Sequence, residues 1–294
     1  MQTYLVRLRC LSPYLTPWRM CTLWGRLSWI VADGRLPGWT IEDWIEVTRN
    51  GQPPVVVGDG FPTNAVPVPA LFLATATGTE MRPKTLTWDD WTVLSTFRRW
   101  PERREHAGAI ARVERMHVVL SRDTGTALLL EDPDKPEKRR GQLRTEIGEQ
   151  PSELIILAQV DDILGPEGLE TLMRELCKDG WGQGRTYGYG NVELISVEAT
   201  ERPAPTGWVA TLGHCHPTED LPREGYWRWT GVPVRPHDVA SRRGATESFT
   251  TMLLPGASFA SDDPTAGRSV GIDDRKDYLH VGLAPTWPIA GRSA

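Results

Sequence analysis

The stretch DGWGQGRTYGYGNVELISVE, residues 179 to 198, concentrates five glycines, Gly180, Gly182, Gly184, Gly188 and Gly190, within eleven positions. Between them stand Trp181, Arg185, Tyr187 and Tyr189. Glycine lets backbone amides approach a ligand closely, arginine pairs with phosphate, and aromatic planes stack on unpaired bases. The chemistry on offer is the grip of a polyanion, either a nucleotide cofactor or a single-stranded nucleic acid. The plainer reading is a tight turn whose two tyrosines pack back onto the domain. Other reactive residue types are scattered. His214 and His216, in HCH, would share one side of a strand, but two ligands do not make a metal site and no second cluster at ligand spacing accompanies them. His237-Asp238 is a single dipeptide in a proline-rich loop, and the Asp-Asp pairs beginning at 89, 161, 262 and 273 sit where caps, turns and solvated loops account for them. No metal, cofactor or catalytic residue is assigned.

The elements around the glycines decide between the first two readings. PEGLETLMRELCKDG, residues 166 to 180, places Leu169, Leu172, Met173, Leu176 and Cys177 along one helical face, with Gly180 as its stop, and NVELISVE after the loop reads as a strand. The glycines therefore follow a helix and precede a strand. A dinucleotide fingerprint needs the reverse order, so that the pyrophosphate meets a helix N-terminus, and a Walker loop ends in Gly-Lys-Ser or Gly-Lys-Thr, which is absent. Both nucleotide readings fail; single-stranded RNA and a plain turn remain.

Further from the loop, TYLVRLR at 3 to 9 alternates Tyr4, Val6 and Leu8 against Arg7 and Arg9, the pattern of a half-buried strand. TLWGRLSWIVADG predicts a helix with Leu23, Leu27, Ile30 and Val31 on its apolar face, capped by Thr22 and stopped by Gly34. Two more helices are predicted at TIEDWIEVTRNG and TWDDWTVLSTFRRWP, each opened by Thr with Asp three residues later, the second stopped by Pro101. Residues 51 to 86 read as loop with short extended pieces. RMHVVLSRDTGTALLLE and SELIILAQVDD read as strands, joined by a charged excursion from Asp132 to Gln150 that is expected to be mobile or ordered only by a partner. Strand, helix, strand, strand, helix, strand is the split β-α-β order of ferredoxin-like domains. After the proline-rich break TERPAPTG come four strand candidates, GWVATLG, GYWRWTGV, SFTTMLLPG and YLHVGLAP. The expected fold class is α+β: two ferredoxin-like or RRM-like domains with antiparallel sheets and helices on one face. The first spans residues 1–200 with the loop and the charged insertion; the second, smaller and β-rich, spans 201–294.

Composition sets the setting. The chain of 294 residues, 39% hydrophobic and 24% charged, can bury a substantial core. The four cysteines, 10, 21, 177 and 215, form no C-x-x-C pair, which fits a reduced interior. The N-terminus carries charge where a signal peptide would be apolar, and the longest apolar run, AVPVPALFLATA, is too short to span a bilayer. A soluble, cytoplasmic protein with no membrane partner is expected. Net charge is −5, yet from Arg98 to Arg144 twelve Arg and Lys stand against eight Asp and Glu. A local phosphate-contacting face is thus permitted, beside the commoner reading of solvated charged loops.

The order of these segments resembles the RAMP superfamily, the repeat-associated RNA-binding proteins of CRISPR systems, whose signature is a helix, a glycine-rich loop like GWGQGRTYGYG, and a strand. SPYLTPWRMCTLWGRLSW is similar to the segment opening the first helix in type III effector subunits of the Csm-four kind, in the Cas-five group. RMHVVLSRDTGTALLLE is similar to that group's Arg-x-Thr-Gly-x-Ala stretch, here Arg122, Thr124, Gly125 and Ala127. GHCHPTEDLPREGYWRWTGVPV followed by LLPGASFA is similar to its C-terminal half. The resemblance implies a binding protein, not a nuclease. Such a protein caps the 5′ tag of the CRISPR RNA and touches a Cas-seven-type backbone subunit. It docks a Cas-ten-type large subunit and meets target RNA only indirectly. Carried over by position, the RNA contacts would be Gly180, Gly182, Gly184, Arg185, Tyr187, Gly188, Tyr189 and Gly190, with Arg19, Arg115, His117 and Arg122 as secondary contacts. The charged excursion would take the place of a protruding hairpin against the guide or a neighbouring subunit. The alternative is a metal-independent endoribonuclease of precursor CRISPR RNA, with His117 and Tyr187 or Tyr189 acting near a 2′-hydroxyl.

Overall fold

The structure, a computed structural model, describes residues 1–63, 65–75, 85–93, 111–118, 129–132, 135–141, 143–218, 224–234, 248–271 and 279–291. Strand β1 (Gln2–Cys10) buries Tyr4, Val6 and Leu8 as the alternation predicts, but Leu5 on its opposite face is buried too, so β1 is covered on both sides over that stretch. Helix α1 (Met20–Ala32) starts two residues before the predicted Thr22. No local side chain caps it; the Met20 N–H instead donates to Asp59 Oδ1 at 2.8 Å, a cap supplied from a distant loop. Helix α2 (Ile41–Arg49) begins as predicted, the Asp43 N–H donating to Thr40 Oγ1 at 3.1 Å and the Thr40 hydroxyl to the Asp43 carboxylate at 2.6 Å. The loop region holds short strands β2 (Val55–Val57), β3 (Phe61–Pro62) and β4 (Val66–Pro67), then helix α3 (Ala70–Thr75), which the loop assignment had missed. Strand β5 (Thr85–Leu86) precedes helix α4 (Trp88–Val93), which starts on a Thr87–Asp90 box; its predicted stop at Pro101 lies outside the described residues.

The charged excursion is not an unpaired segment. Strand β6 (Ala111–Val118) pairs in antiparallel register with β9 (Leu143–Gln150), and β7 (Leu129–Asp132) pairs with β8 (Lys135–Gly141). Composition suggested mobility because few of these side chains are apolar; main-chain pairing supplies the order that composition does not reveal. Strand β10 (Glu153–Val160), helix α5 (Gly165–Asp179) and strand β11 (Val192–Ala199) complete the first unit. Its sheet runs β11-β1-β10-β2, with β3 also on β10, all neighbours antiparallel. The first and third strands of the β-α-β-β-α-β pattern lie at its centre, the ferredoxin-like arrangement, but its second strand is β2 with β3, from the segment read as loop; the described part of RMHVVLSRDTGTALLLE expected there lies in the separate β6–β9 and β7–β8 ribbons.

The second half of the chain holds β12 (Val209–Thr211), β13 (Gly225–Tyr226), β14 (Trp229–Val234), β15 (Ser248–Leu253), β16 (Ser258–Phe259), β17 (Thr265–Gly271) and β18 (Leu279–Pro288). Five of these form a sheet in the order β13-β16-β12-β18-β17, while β14 and β15 form a separate two-stranded ribbon, with an isolated bridge between Leu253 of β15 and Cys215 in the segment after β12. Of the four sequence-predicted strands of this half, GWVATLG, SFTTMLLPG and YLHVGLAP each hold one strand, whereas GYWRWTGV is split into β13 and β14, which lie in different sheets. On one face of the first sheet Leu8, Val6 and Ile156 pack against α1 and α5, through Leu23, Leu27, Leu172 and Leu176. On the other, Leu5, Ile155 and Leu157 share a core with Ala210, Leu212 and Trp287 of the second half and with Leu71 and Trp91 of the loop region. Burial of these side chains, roughly 1.5–3 kcal/mol each, is what couples the two halves. Among the described residues seven tryptophans, at 18, 24, 44, 88, 91, 181 and 287, are buried, which answers for much of the unusual tryptophan content.

Candidate nucleic-acid interface

The glycine loop is seated on the chain that leads into α1. Trp181 is 1% exposed and lies flat on Trp18, ring centroids 4.0 Å apart and planes within 10° of parallel. Its indole N–H donates to the Thr16 carbonyl at 2.7 Å, and the Gln183 amide donates to the Thr16 hydroxyl at 2.9 Å. The loop closes on itself where the Trp181 N–H meets the Gly190 carbonyl at 2.7 Å, and Gly190 N–H ties it to the Pro13 carbonyl at 2.7 Å. Gly190 must be glycine: its φ is 65°, and a Cβ there would collide with the Trp181 carbonyl oxygen. Inside the closure, Arg185–Tyr187 form one turn of 3₁₀ helix between left-handed Gly184 and Gly188. The amides of Tyr187, Gly188 and Tyr189 all donate back within this turn.

The consequence is a sorted loop. Trp181 and Tyr189, the latter 2% exposed, face inward; Arg185 is exposed and Tyr187 is 73% exposed. Base stacking, expected of Tyr189, is closed to it in this arrangement, because its ring is packed between Gly184 and Gly148 of β9. Since the loop amides named above are spent internally, what the loop presents outward is side chains, those of Gln183, Arg185, Thr186 and Tyr187.

Beside this outward face lies a cluster of paired charges. The Arg185 guanidinium donates to the Asp179 carbonyl at 3.2 Å, while the Asp179 carboxylate receives Arg26 at 2.8 Å and Arg35 at 2.7 Å. The Arg35 hydrogen bond holds the Asp179 carboxyl below the usual carboxylate range, and the charges of Arg26 and Arg185 add to it. Burial, then the Arg185 charge, lowers Arg26 from its ordinary value. Arg35 also pairs with Asp33 at 3.2 Å and with Glu175 at 3.4 Å, so three guanidinium groups and three carboxylates form one ion-pair network, with Arg185 at its exposed edge.

The β6–β9 ribbon springs from the same place. Tyr14 N–H donates to the Glu149 carbonyl at 2.9 Å and Glu149 N–H returns to the Tyr14 carbonyl at 3.0 Å, so the root of the ribbon is bonded to the lead-in that carries the loop. Burial and the neighbouring Glu149 raise the Tyr14 phenol well above its normal value. Arg115 and His117 lie on β6, in register with Glu146 and Arg144. Arg19 ends the lead-in, directly after Trp18 and before α1. Arg122, with Thr124, Gly125 and Ala127, lies outside the described residues, as do His237, Asp238 and the Asp273 pair. Lead-in, ribbon and glycine loop, distant in sequence, thus converge on one surface.

The remaining reactive residues have structural partners. His214 Nδ1 contacts Asp59 Oδ2 at 2.6 Å, whereas His216 Nε2 contacts His280 Nδ1 at 2.7 Å, so the two histidines of HCH serve different neighbours. Burial, and then His216, pushes His280 down to about 4; burial lowers His216 as well. Asp90 caps α4, Asp161 accepts the Leu164 N–H at 2.7 Å, and Asp262 accepts the Gly207 N–H at 2.8 Å. Among the described residues no three His, Cys, Asp or Glu side chains gather in a metal-binding group, and no helix is long and apolar enough to cross a membrane. The residue that sequence reasoning missed is Asp59; its only signal is a lone carboxylate between two glycines directly after the apolar run VVV.

No family model matches the chain, and no curated protein matches it by sequence. Solved structures do. A chain of the Csm1-Csm4 cassette in complex with AMPPNP aligns over 100% of both chains, with TM-score 0.61 at 15% identity. A chain of the Csm1-Csm4 cassette in complex with cA4 aligns over 99% of this chain and 100% of that one, with TM-score 0.57 at 16% identity. A chain of the Csm3-Csm4 subcomplex in the type III-A CRISPR-Cas interference complex aligns over 99% and 100%, with TM-score 0.58 at 10% identity. At such identities the likeness shows the fold: an α+β architecture of antiparallel sheets shared end to end. The neighbours fall in the group to which the sequence resemblance pointed.

Proposed function

We propose that this chain is a Csm4-type RAMP subunit of a type III CRISPR effector complex, a non-catalytic protein that holds the 5′ tag of the guide RNA. One observation carries the reading. The chain matches, end to end, chains from two assemblies, Csm1-Csm4 and Csm3-Csm4, and Csm4 is the component these have in common. The loop surface supports it. Arg185, exposed on the loop, meets tag phosphates, and Tyr187 offers a ring to an unstacked base. Arg19 and the ribbon carrying Arg115 and His117 flank the same track. A backbone subunit of the Csm3 kind and a large subunit of the Csm1 kind are the protein partners, and target RNA is reached through the guide. The setting is the cytoplasm.

The test is purification of the chain with its co-expressed partners at low salt. RNA is expected in the complex, with affinity falling linearly on a log–log plot against salt as counterions are released. Arg185→Ala should weaken RNA retention by about tenfold while the subunits still assemble, the loss of a charge-assisted phosphate contact. A complex that assembles fully and carries no RNA at low salt sinks the proposal.

A further inference from the structure

The tripeptide Gly58-Asp59-Gly60 is wedged between three parts of the molecule. Gly58 N–H donates to the Leu157 carbonyl of β10 at 2.7 Å, Asp59 N–H to the Leu212 carbonyl at 2.8 Å, and Gly60 N–H to the Trp18 carbonyl at 2.7 Å. The Asp59 carboxylate is divided in the same way. Oδ1 accepts the Met20 N–H at 2.8 Å and the His214 N–H at 3.2 Å, and Oδ2 meets His214 Nδ1 at 2.6 Å. Both side chains are enclosed, His214 9% and Asp59 6% exposed. A carboxylate so enclosed requires its bonds, because an unpaired buried charge is strongly unfavourable.

What this carboxylate fixes is the bed of the glycine loop. Gly60 lies so close to Trp18 that a Cβ on it would fall 2.7 Å from the Trp18 Cβ. Trp18 in turn carries Trp181, ring on ring, and Thr16, two residues earlier, receives both the Trp181 indole and the Gln183 amide. An unbroken series of contacts therefore runs from His214, in the second half of the chain, through Asp59 and the Trp18–Met20 turn, to Trp181 and the loop that bears Arg185 and Tyr187. The hydrogen bonds of His214 go to Asp59, two steps removed from the loop.

We infer that Asp59 and His214 are positioning residues for the glycine loop, tying its pose to the seating of the second half of the chain. The inference rests on the RNA-binding reading for its purpose, though the coupling is a property of the protein alone. When the His214–Asp59 pair is intact the Trp18–Trp181 stack is held and the loop is closed. When it is broken, the carboxylate that caps α1 loses one of its anchors, the Trp18 turn relaxes, and the loop opens.

The test is amide hydrogen–deuterium exchange of the full chain, without RNA, on His214→Leu, His214→Asn and Asp59→Asn. Asparagine at 214 keeps an N–H donor near the position of Nδ1; leucine does not. The expected result for His214→Leu is exchange about tenfold faster at the Gln183 and Gly190 amides, the size of one lost charge-assisted hydrogen bond, with β17 and β18 protected as before. His214→Asn should restore most of the loop protection, and Asp59→Asn, which keeps one acceptor, should fall between. Loop exchange unchanged in His214→Leu overturns the inference. So does exchange that rises uniformly across both sheets, or an Asn variant no better than Leu, since either would mark a merely structural histidine. In parallel, binding of a fluorescein-labelled single-stranded RNA is measured on the same variants. Faster loop exchange with undiminished RNA binding would uphold the positioning and count against the RNA reading, so the two failures are told apart.

Discussion

Trp181 and Tyr187 are the same kind of residue in the sequence and opposite kinds in the structure, and substituting them separates the two roles. Trp181 is 1% exposed, stacked on Trp18 and bonded through its indole N–H to Thr16. Truncation to alanine removes the stack and leaves a cavity, at about 3–5 kcal/mol for a buried large aromatic. Trp181→Phe keeps a ring against Trp18 and loses the N–H donor, so about 1–2 kcal/mol is expected. Tyr187 is 73% exposed, so Tyr187→Ala should change stability by no more than about 0.5 kcal/mol, yet reduce RNA affinity by roughly 1–3 kcal/mol as one stacking platform is lost. Urea unfolding of the chain gives the first quantity, and anisotropy titration of labelled single-stranded RNA at fixed salt gives the second. The reasoning is refuted if Trp181→Ala leaves the urea midpoint in place while abolishing RNA binding, because Trp181 would then be a base platform and not a packing residue.

Acid should destabilise the protein through the His216–His280 pair. Both folded values lie below the usual histidine value, His280 at about 4, so the neutral pair stabilises the fold above pH 6.5 and that contribution is lost as pH falls from 6.5 toward 4. About 3 kcal/mol is the ceiling for His280, and a His280→Gln variant should show a flatter stability profile across that window in thermal melts. Thr40→Ala, which deletes the α2 cap, should lower stability by about 1 kcal/mol in urea, and Thr40→Ser should retain most of it.

What could be read from the sequence was what local rules decide. Helix α2 begins at Thr40 because its cap partner Asp43 is three residues away; helix α1 begins before its apparent cap because its partner, Asp59, stands 39 residues along the chain. The position of the glycines between a helix and a strand was legible from local pattern, and α5 and β11 flank them as expected. Which of Tyr187 and Tyr189 faces out was not legible, since an irregular loop has no period to sort them; the enclosure of Tyr189 comes from Gly148, on a strand whose charged neighbours had suggested mobility. HCH was read as structural because two ligands make no metal site, but its partners were not legible: Asp59 and His280 come from opposite ends of the chain.

Ultraviolet crosslinking of the assembled complex, followed by mass spectrometry of the peptides, tests the central claim most directly. The nucleotides at the 5′ end of the bound guide should crosslink to the peptide containing Arg185 and Tyr187, with the ribbon around Arg115 and His117 as a weaker second site. Crosslinks from the 5′ end that fall wholly on other subunits, with this loop reached only by the 3′ end or by nothing, would contradict it.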